Sequence, residues 1–351
     1  MKISVCMIVK NEEKVIGRCL DCVSKFADEI IVVDTGSTDK TKEIVKRFTD
    51  KIYDFAWVQD FSKARNFSFS KASCDYVMWL DADDIITEEN IEKINKIKQK
   101  NEFFDVFMFK YEICFDKNDN PTFAYYRERL VKRNRNFKWK GFVHEALLYN
   151  GKIKYEDVSI RHKKVFFGDK KRNLKLYQKY IKNGYKLSAR EQYYYAKELY
   201  YTGYYKKCIS ELKKFLRMEN KFEANVVDCY LCMGRCYKLL NDKKQIDVLF
   251  DCLKNCTPNS EVLCEIGSYY IQENDNKKAI LFYEMATQIS PNINSGAFID
   301  MNYYYLVPYL QLVMLYYKVG DYKSAKKYHL KLKEKYYDNQ SVLYNDKFFQ
   351  Y

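Results

Sequence analysis

The sequence predicts an α/β domain followed by an all-α domain of helical repeats. Short apolar runs alternate with helical patterns up to about residue 165, which is typical of an open, largely parallel sheet. From Leu174 onward, apolar and aromatic residues recur every three or four positions, and strand-like alternation disappears. We therefore predict an α/β domain over 1–168, a linker helix over 169–188 and a helical repeat domain over 189–351.

The α/β domain begins with four buried strands that alternate with helices. The strands are expected at residues 3–9, 30–33, 51–55 and 76–80, with helices through 15–23, 44–48 and 61–72. A helix through Ile91, Ile94 and Ile97 should precede a strand near 106–113. Asn150-Gly151 is a frequent two-residue turn, so we also predict a hairpin between 146–149 and 152–158. The sheet should thus gain antiparallel strands late in the domain.

The second domain shows repeated helix pairs. Turn residues separate the helical stretches at 202–203, 241–242, 274–276 and 320–321. Residues 193–205 and 312–328 resemble tetratricopeptide units, and Ala279 and Ala325 occupy the small-residue position of later units. Pro258 and Pro291 lie 33 residues apart, close to the length of that repeat.

Composition excludes several protein classes. With 47% hydrophobic residues, 11 Gly and 4 Pro among 351 residues, the chain is neither collagen-like nor disordered. No apolar run is long enough to span a membrane, and the N-terminus has no signal-peptide pattern. The 12 Cys lack a disulfide spacing, and Cys229, Cys232 and Cys236 are expected in a helix core. We therefore predict a cytoplasmic protein with reduced thiols.

The net charge of +14 is dispersed along the chain rather than concentrated in one segment. Residues 1–170 hold 32 Lys and Arg against 28 Asp and Glu, which leaves +10 for the remainder. Since nucleic-acid binding needs a basic patch or stripe, we expect no nucleic-acid partner.

Polar clusters follow the predicted strands where each strand ends. They are residues 10–13 (KNEE), 34–39 (DTGSTD), 65–66 (RN) and 81–84 (DADD). In an open parallel sheet, ligands bind beyond the carboxyl ends of the strands. The site is therefore expected where these clusters meet.

Asp81, Asp83 and Asp84 place three carboxylates directly after a buried strand. They repel one another, and a divalent cation carrying a diphosphate would relieve that repulsion. Oxygen ligands suit Mg²⁺ or Mn²⁺. The alternative is an acidic turn that leads into a helix capped at Thr87.

The segments SVCMIVKNEE, IIVVDTGSTDKT, DFSKARN and MWLDADD resemble the family 2 nucleotide-sugar glycosyltransferases, which have the GT-A fold. The resemblance covers about residues 1–165. It implies metal-dependent, inverting transfer from a nucleotide-sugar, with a UDP-sugar as the expected donor. It also assigns roles to five residues: Glu12 faces the nucleotide, Asp34 meets uracil, Arg65 contacts base or phosphate, Asp81 reaches the ribose, and Asp83 binds the metal.

Simpler interpretations exist for three of these residues. Asp34 can form an Asx turn or a cap near Thr38, and Arg65 can form a surface ion pair. Glu12 can cap the helix that begins near it.

Inverting transfer also needs a base that takes the acceptor's proton. Residues 127–145 resemble the RLF…WxGxVHE block of a subset of these enzymes, and we assign Glu145 as the base. Either His144 or His162 is expected to join the metal or the diphosphate, and we assign His162 to the metal. The alternatives are a solvent salt bridge for Glu145 and a core or surface position for each histidine. The basic run 127–140 either holds an anion or is a solvated strand edge.

The repeat domain indicates a peptide or protein acceptor, because a small sugar would not need so long a helical region. The combination of domains is similar to the bacteriocin S-glycosyltransferases, which modify Cys or Ser of a peptide. Repeat surfaces also suggest a homodimer. Two other interpretations are kept: transfer to lipopolysaccharide or another cell-envelope glycan, and a catalytically dead repeat scaffold.

Overall fold

The computed structural model describes residues 1–100, 103–117, 119–165, 169–292 and 299–349. Contacts within the chain divide it into two compact units, Met1–Lys186 and Leu187–Tyr351. Residue 168, where we predicted the first domain to end, lies outside the described residues.

Unit 1 contains a mixed eight-stranded sheet in the order β3-β2-β1-β4-β7-β6-β10-β5 and a second sheet of β8 and β9. β1 pairs in parallel with β2 and β4, whereas β7 is antiparallel to both β4 and β6. The strands are β1 (Ile3–Val9), β2 (Glu29–Asp34), β3 (Ile52–Asp54), β4 (Tyr76–Trp79), β5 (Asp84–Ile85), β6 (Val106–Phe115), β7 (Pro121–Lys132), β8 (Lys138–Lys140), β9 (Ala146–Leu148) and β10 (Ile153–His162).

Five helices belong to unit 1: α1 (Ile16–Val23), α2 (Thr41–Val45), α3 (Phe61–Ser70), α4 (Glu88–Gln99) and α5 (Arg172–Lys182). Apolar residues at helical spacing, such as Ile16 and Leu20 of α1, are fully buried against β1. The predicted GT-A-like α/β architecture is confirmed, including its first four strands. α2 is shorter than expected and ends before Phe48, which is only partly buried against the core.

The predicted hairpin at Asn150-Gly151 is wrong. β9 pairs with β8, and β10 pairs in parallel with β6. The turn instead packs closely against Asp105. The Asp105 carboxylate accepts from the Lys152 amide at 2.9 Å, and the Asp105 amide donates to the Lys152 carbonyl at 2.8 Å. Gly151 has φ +98°, and a Cβ there would lie 2.2 Å from Asp105 Oδ2. Glycine is thus required by a side-chain contact rather than by a hairpin.

Unit 2 is all-helical in its described residues. Its helices are α6 (Ala189–Tyr201), α7 (Tyr205–Arg217), α8 (Glu223–Leu239), α9 (Lys244–Asn255), α10 (Ser260–Gln272), α11 (Asn276–Thr287), α12 (Asn302–Tyr305), α13 (Val307–Lys318), α14 (Tyr322–Tyr336) and α15 (Gln340–Asp346). The four predicted turns separate the paired helices α6–α7, α8–α9, α10–α11 and α13–α14. The tetratricopeptide-like character of this region is confirmed.

Two glycines allow close packing within the helix pairs. A Cβ at Gly234 of α8 would lie 3.0 Å from Leu249, and one at Gly267 of α10 would lie 2.7 Å from Tyr283. The two glycines are 33 residues apart, the same spacing as Pro258 and Pro291. A close packing contact thus recurs at this spacing in successive helix pairs.

All twelve cysteines are free thiols, as predicted. Cys229, Cys232 and Cys236 are buried, which confirms their place in a core. The Cys232 sulfur also lies 3.9 Å from that of Cys208 on the neighbouring helix α7. Among the described residues, no helix has the length and apolar character needed to cross a membrane.

The Gly151 contact gives a stability prediction. Gly151→Ala should lower the free energy of unfolding of unit 1 by about 2–3 kcal/mol, because a left-handed backbone and a clash with Asp105 are combined. The matched control is Gly184→Ala, since Gly184 has φ +84° but open space around it, and should cost only about 1–2 kcal/mol. Urea unfolding followed by tryptophan fluorescence reports on unit 1, which contains all three tryptophans. Equal losses in the two variants would contradict the proposed role of Asp105.

Candidate active site

A cavity of about 860 Å³ lies in unit 1, where β1, β2 and β4 end. Its walls come from the segments after these strands, from α3, from residues 143–145, from the end of β10 and from the start of α5. Six of the seven predicted site residues line this cavity: Glu12, Arg65, Asp81, Asp83, Glu145 and His162. The structure therefore brings together residues that are as much as 150 positions apart in the sequence.

The KNEE and DTGSTD segments bind each other across the ends of β1 and β2. Asn11 has φ +56°, its amide donates to Ser37 Oγ at 2.9 Å, and its side-chain oxygen accepts from the Thr38 amide at 2.8 Å. The Glu12 amide donates to Thr41 Oγ1 at 2.7 Å. The two motifs thus fix each other's backbone at the rim of the cavity.

Glu12 does not cap α1. The residue before this helix is Val15, and no side chain makes a cap bond there. Burial, together with the charges of Asp83 and Asp81, raises the pKa of Glu12 to about 7. Glu12 therefore belongs to a group of close carboxyls with Asp81 and Asp83, and nearby positive charge does not fully compensate their negative charge.

Asp34 ends β2 and forms the turn that we considered as its alternative role. Its Oδ1 accepts from the amides of Gly36 and Ser37 at 2.9 and 2.8 Å. Asp34 is not among the residues that line the cavity, but its Oδ2 is buried and has no hydrogen-bond partner among the described residues. A buried carboxylate oxygen favours a donor such as an imide N–H, so the contact to a base stays a prediction.

Arg65 joins two of the predicted functional carboxylates. From α3, its Nη2 donates to Asp81 Oδ1 at 2.8 Å and its Nε donates to Glu145 Oε1 at 2.7 Å. The guanidinium carbon lies 4.9 Å from the ring centroids of both Trp79 and Trp139. Burial lowers the pKa of Arg65, because it disfavours the charged guanidinium. The negative charges of Asp81 and Glu145 have the larger effect and hold the pKa of Arg65 above its ordinary value. Arg65 forms a buried ionic link rather than a surface ion pair.

The charge of Asp81 is stabilised in return. Burial alone would raise the pKa of Asp81, but the charges of Arg65 and Arg129 lower it to about 2. Asp81 is therefore an anion at neutral pH.

Asp84 differs from Asp81 and Asp83 in its environment, because its side chain is fully buried against Arg129 of β7. Arg129 Nη1 lies 3.1 Å from Asp84 Oδ2, and the guanidinium carbon lies 3.7 Å from the Trp79 ring centroid and 4.0 Å from that of Tyr111. Asp84 also accepts from the Asp81 amide and the Tyr111 hydroxyl, both at 3.0 Å. The sequence analysis missed Arg129 and Tyr111, since nothing in their local pattern distinguishes them from other strand residues.

His162 ends β10, which pairs with β5 so that His162 lies opposite Asp84. Its Nδ1 is 2.8 Å from the Tyr111 hydroxyl, 3.2 Å from Asp84 Oδ1 and 3.3 Å from Asp83 Oδ1. Burial lowers the pKa of His162, but the bond to Asp84 and the charge of Asp83 prevail and raise it. An imidazole whose Nδ1 is held in this way presents Nε2 as a metal ligand.

The donor set fits a hard divalent cation. Asp81, Asp84 and His162 each offer one ligand atom, and these atoms lie within 4.8 Å of one another. Burial and the charges of Asp81 and Asp84, opposed by His162, raise the pKa of Asp83, so a cation would relieve the crowding there. Asp84 is already engaged by Arg129 and Tyr111, whereas the side-chain partner of the Asp83 carboxylate is His162, at 3.3 Å. Carboxylate oxygens with one imidazole suit Mn²⁺ or Mg²⁺.

The segment that carries Glu145 is held by aromatic packing against α5. Gly141 has φ +98° and His144 φ +51°, so the loop backbone is left-handed at two positions. Between them, the Phe142 ring stacks on Tyr180 with centroids 4.0 Å apart. Tyr177 and Tyr185 contact the same ring edge-on at 5.0 and 5.4 Å. Glu145 accepts from Arg65 through Oε1, while its Oε2 has no hydrogen bond within the described residues.

The basic run 127–140 lies outside this cavity, because none of its residues is among those that line it. Arg127 pairs with Glu128, and Arg129 with Asp84. The described cations that line the cavity, besides Arg65, are Lys10, Lys14, Lys164 and Arg172. These residues, rather than the basic run, are positioned to meet an anionic donor.

Residues 4–153 match the Glycosyl transferase family 2 domain. The glycosyltransferase SunS of Bacillus subtilis is 27% identical over 320 residues and covers 85% of this chain and 71% of its own length. That match is longer than either unit, so it includes parts of both.

The protein is a glycosyltransferase. Two further relatives match part of the chain. An uncharacterized glycosyltransferase of Rickettsia bellii is 29% identical over 166 residues, covering 44% of this chain and 55% of its own. A TPR repeat-containing protein of Synechococcus elongatus is 42% identical over 83 residues, covering 24% of this chain and 21% of its own length. These matches favour an enzyme over the interpretation as a catalytically dead scaffold.

The raised pKa of Glu12 predicts a pH-dependent stability of the metal-free glycosyltransferase. The folded state binds the Glu12 proton more tightly than the unfolded chain does, so this contribution is complete below pH 4.5 and is lost as pH rises through about 7. Urea unfolding in a chelator should show wild type losing stability between pH 5 and pH 7.5. Glu12→Gln lacks the titrating group and should lose measurably less.

The difference between the two pH profiles is the relevant quantity, because the other titrating groups, including His162, are common to both proteins. Parallel profiles for wild type and Glu12→Gln would show that Glu12 is not crowded by Asp81 and Asp83.

Proposed function

We propose that this glycosyltransferase moves a sugar, with inversion, from a UDP-sugar to a peptide or protein acceptor in a reaction that depends on Mn²⁺ or Mg²⁺. The observation that carries the proposal is the buried link from Asp81 through Arg65 to Glu145, in one cavity with Asp83 and His162. The link places a candidate base a fixed distance from the carboxylates that would face the donor.

We assign a separate role to each of these residues. Asp83 and His162 would hold the cation, which when bound neutralises the charge of the leaving diphosphate. Asp81 is kept anionic by Arg65 and Arg129 and can accept from a ribose hydroxyl. Lys164 and Arg172 supply further positive charge beside the diphosphate.

Glu145 is the proposed general base. Arg65 holds Oε1 and leaves Oε2 for the acceptor's proton. The guanidinium fixes the orientation of the carboxylate. Inversion follows when the acceptor attacks the anomeric carbon from the side opposite the diphosphate.

A peptide acceptor is supported by the paired helices of unit 2 and by the resemblance to the bacteriocin S-glycosyltransferases. Transfer to a cell-envelope glycan is the alternative outcome of the same assays. The boundaries of the domains, the cytoplasmic location and self-association through the repeats stay predictions, as does the expectation of no nucleic-acid partner.

Donor class and metal dependence are tested together by thermal unfolding with UDP, GDP and CDP, each with and without Mn²⁺. A ligand at about 100 times its Kd stabilises by about 2.7 kcal/mol, which moves the transition by several degrees. We expect a Mn²⁺-dependent shift with UDP that Asp83→Ala abolishes.

The control is Asp54→Ala, which removes an exposed carboxylate paired with Lys42 and should keep the shift. A UDP shift that Asp83→Ala retains would contradict the metal assignment, and a shift with GDP alone would change the donor class.

The role of Glu145 is tested by Glu145→Gln, which keeps an oxygen for Arg65 but removes the basic carboxylate. UDP release from UDP-glucose or UDP-N-acetylglucosamine, measured with peptides and with water as acceptor, should fall about 10²–10⁴-fold. The Kd for UDP should change less than threefold. Loss of UDP binding along with turnover would make Glu145 a binding residue instead.

A further inference from the structure

A second cavity of about 420 Å³ adjoins the first and shares one wall residue with it, Trp57. It lies entirely in unit 1, between the segment after β3 and the last turns of α5. Its lining residues are Trp57, Val58, Gln59, Lys179, Tyr180 and Asn183. Trp57 is therefore part of the wall of both cavities.

The backbone around this cavity is held in place. Gln59 has φ +63°, a conformation that is uncommon for a residue other than glycine and is often found at binding sites. Its carbonyl accepts from the Tyr180 hydroxyl at 3.4 Å. Trp57 packs edge-on against Phe61, with centroids 4.8 Å apart. The wall is fixed by contacts beneath it, so its surface is formed before a ligand arrives.

The exposed groups of the cavity match a polypeptide. The side-chain amides of Gln59 and Asn183 make no hydrogen bond to any described residue, and amides pair well with peptide N–H and C=O groups. The Lys179 ammonium has no ion pair in the described part of the chain, so it would attract a carboxylate. Val58 is 46% exposed, and an aliphatic surface favours an apolar side chain over the hydroxyls of a sugar.

We propose that this second cavity binds the part of the acceptor polypeptide next to the modified residue, with an apolar side chain on Val58 and an acidic one at Lys179. The proposal rests on the peptide acceptor proposed above and specifies its sequence: an apolar and an acidic residue a few positions from the residue that receives the sugar.

The test uses a position-scanning library of synthetic 13-residue peptides with a central Ser or Cys, with UDP-glucose and UDP-N-acetylglucosamine as donors. Wild type should prefer Asp or Glu over Lys at one position on one side of the centre. Lys179→Glu should reverse that preference, each change being about two- to fivefold as for exposed ion pairs. UDP release with water as acceptor should not change.

Lys182→Glu is the matched control, because Lys182 lies in the same last turn of α5 but outside the cavity lining. It should keep the wild-type preference. An identical preference in wild type and Lys179→Glu would overturn the second cavity as a peptide site while leaving the peptide acceptor in place.

Two other results would overturn the proposal differently. Transfer to no peptide, with UDP still released to water, would contradict the peptide acceptor itself. Transfer to oligosaccharides that fails in Lys179→Glu but not in Lys182→Glu would assign the second cavity to a glycan.

Discussion

Negative charge confined at one end of the sheet is the constraint on which the site depends. Glu12, Asp81, Asp83, Asp84 and Glu145 all converge there, and carboxylates so close cannot all remain ionised without cations. Two buried arginines meet part of the need: Arg129 neutralises Asp84, and Arg65 is shared by Asp81 and Glu145. The raised pKa values of Glu12 and Asp83 show that the remainder is unmet.

The two arginines have different consequences. Arg129 is fully buried between two aromatic rings and fixes the backbone of the acidic segment through Asp84, so removing it would leave a buried charge unpaired. Arg65 instead joins two segments that are distant in sequence, and it orients a carboxylate while leaving one of its oxygens open. The first arginine holds the acidic segment in place, and the second one orients Glu145, the proposed base.

The same division applies to the elements around the cavity. The parallel strands bring the ends of β1, β2 and β4 to one edge of the sheet. Hydrogen bonds between the KNEE and DTGSTD segments fix the side of the cavity that we propose for the nucleotide-sugar. The opposite side is built by α5, whose tyrosines surround Phe142 in the loop that carries Glu145. α5 also lines the second cavity. α5, which lies within the predicted linker, thus contacts the loop that carries Glu145.

The sequence by itself determined the alternation of strands and helices, the change to helical repeats and the identity of six residues that meet in one cavity. The elements follow from local periodicity, which depends on near neighbours in the chain, and the six residues follow from motifs that resemble those of the family 2 glycosyltransferases. Only the tertiary structure decided which strands pair and which buried charges contact each other. β10 runs beside β6 rather than in a hairpin, which places His162 opposite Asp84, and Arg129 comes from a strand that local pattern could not connect with the acidic segment. Pairing of distant strands and sharing of buried charge are long-range effects, so no local pattern records them.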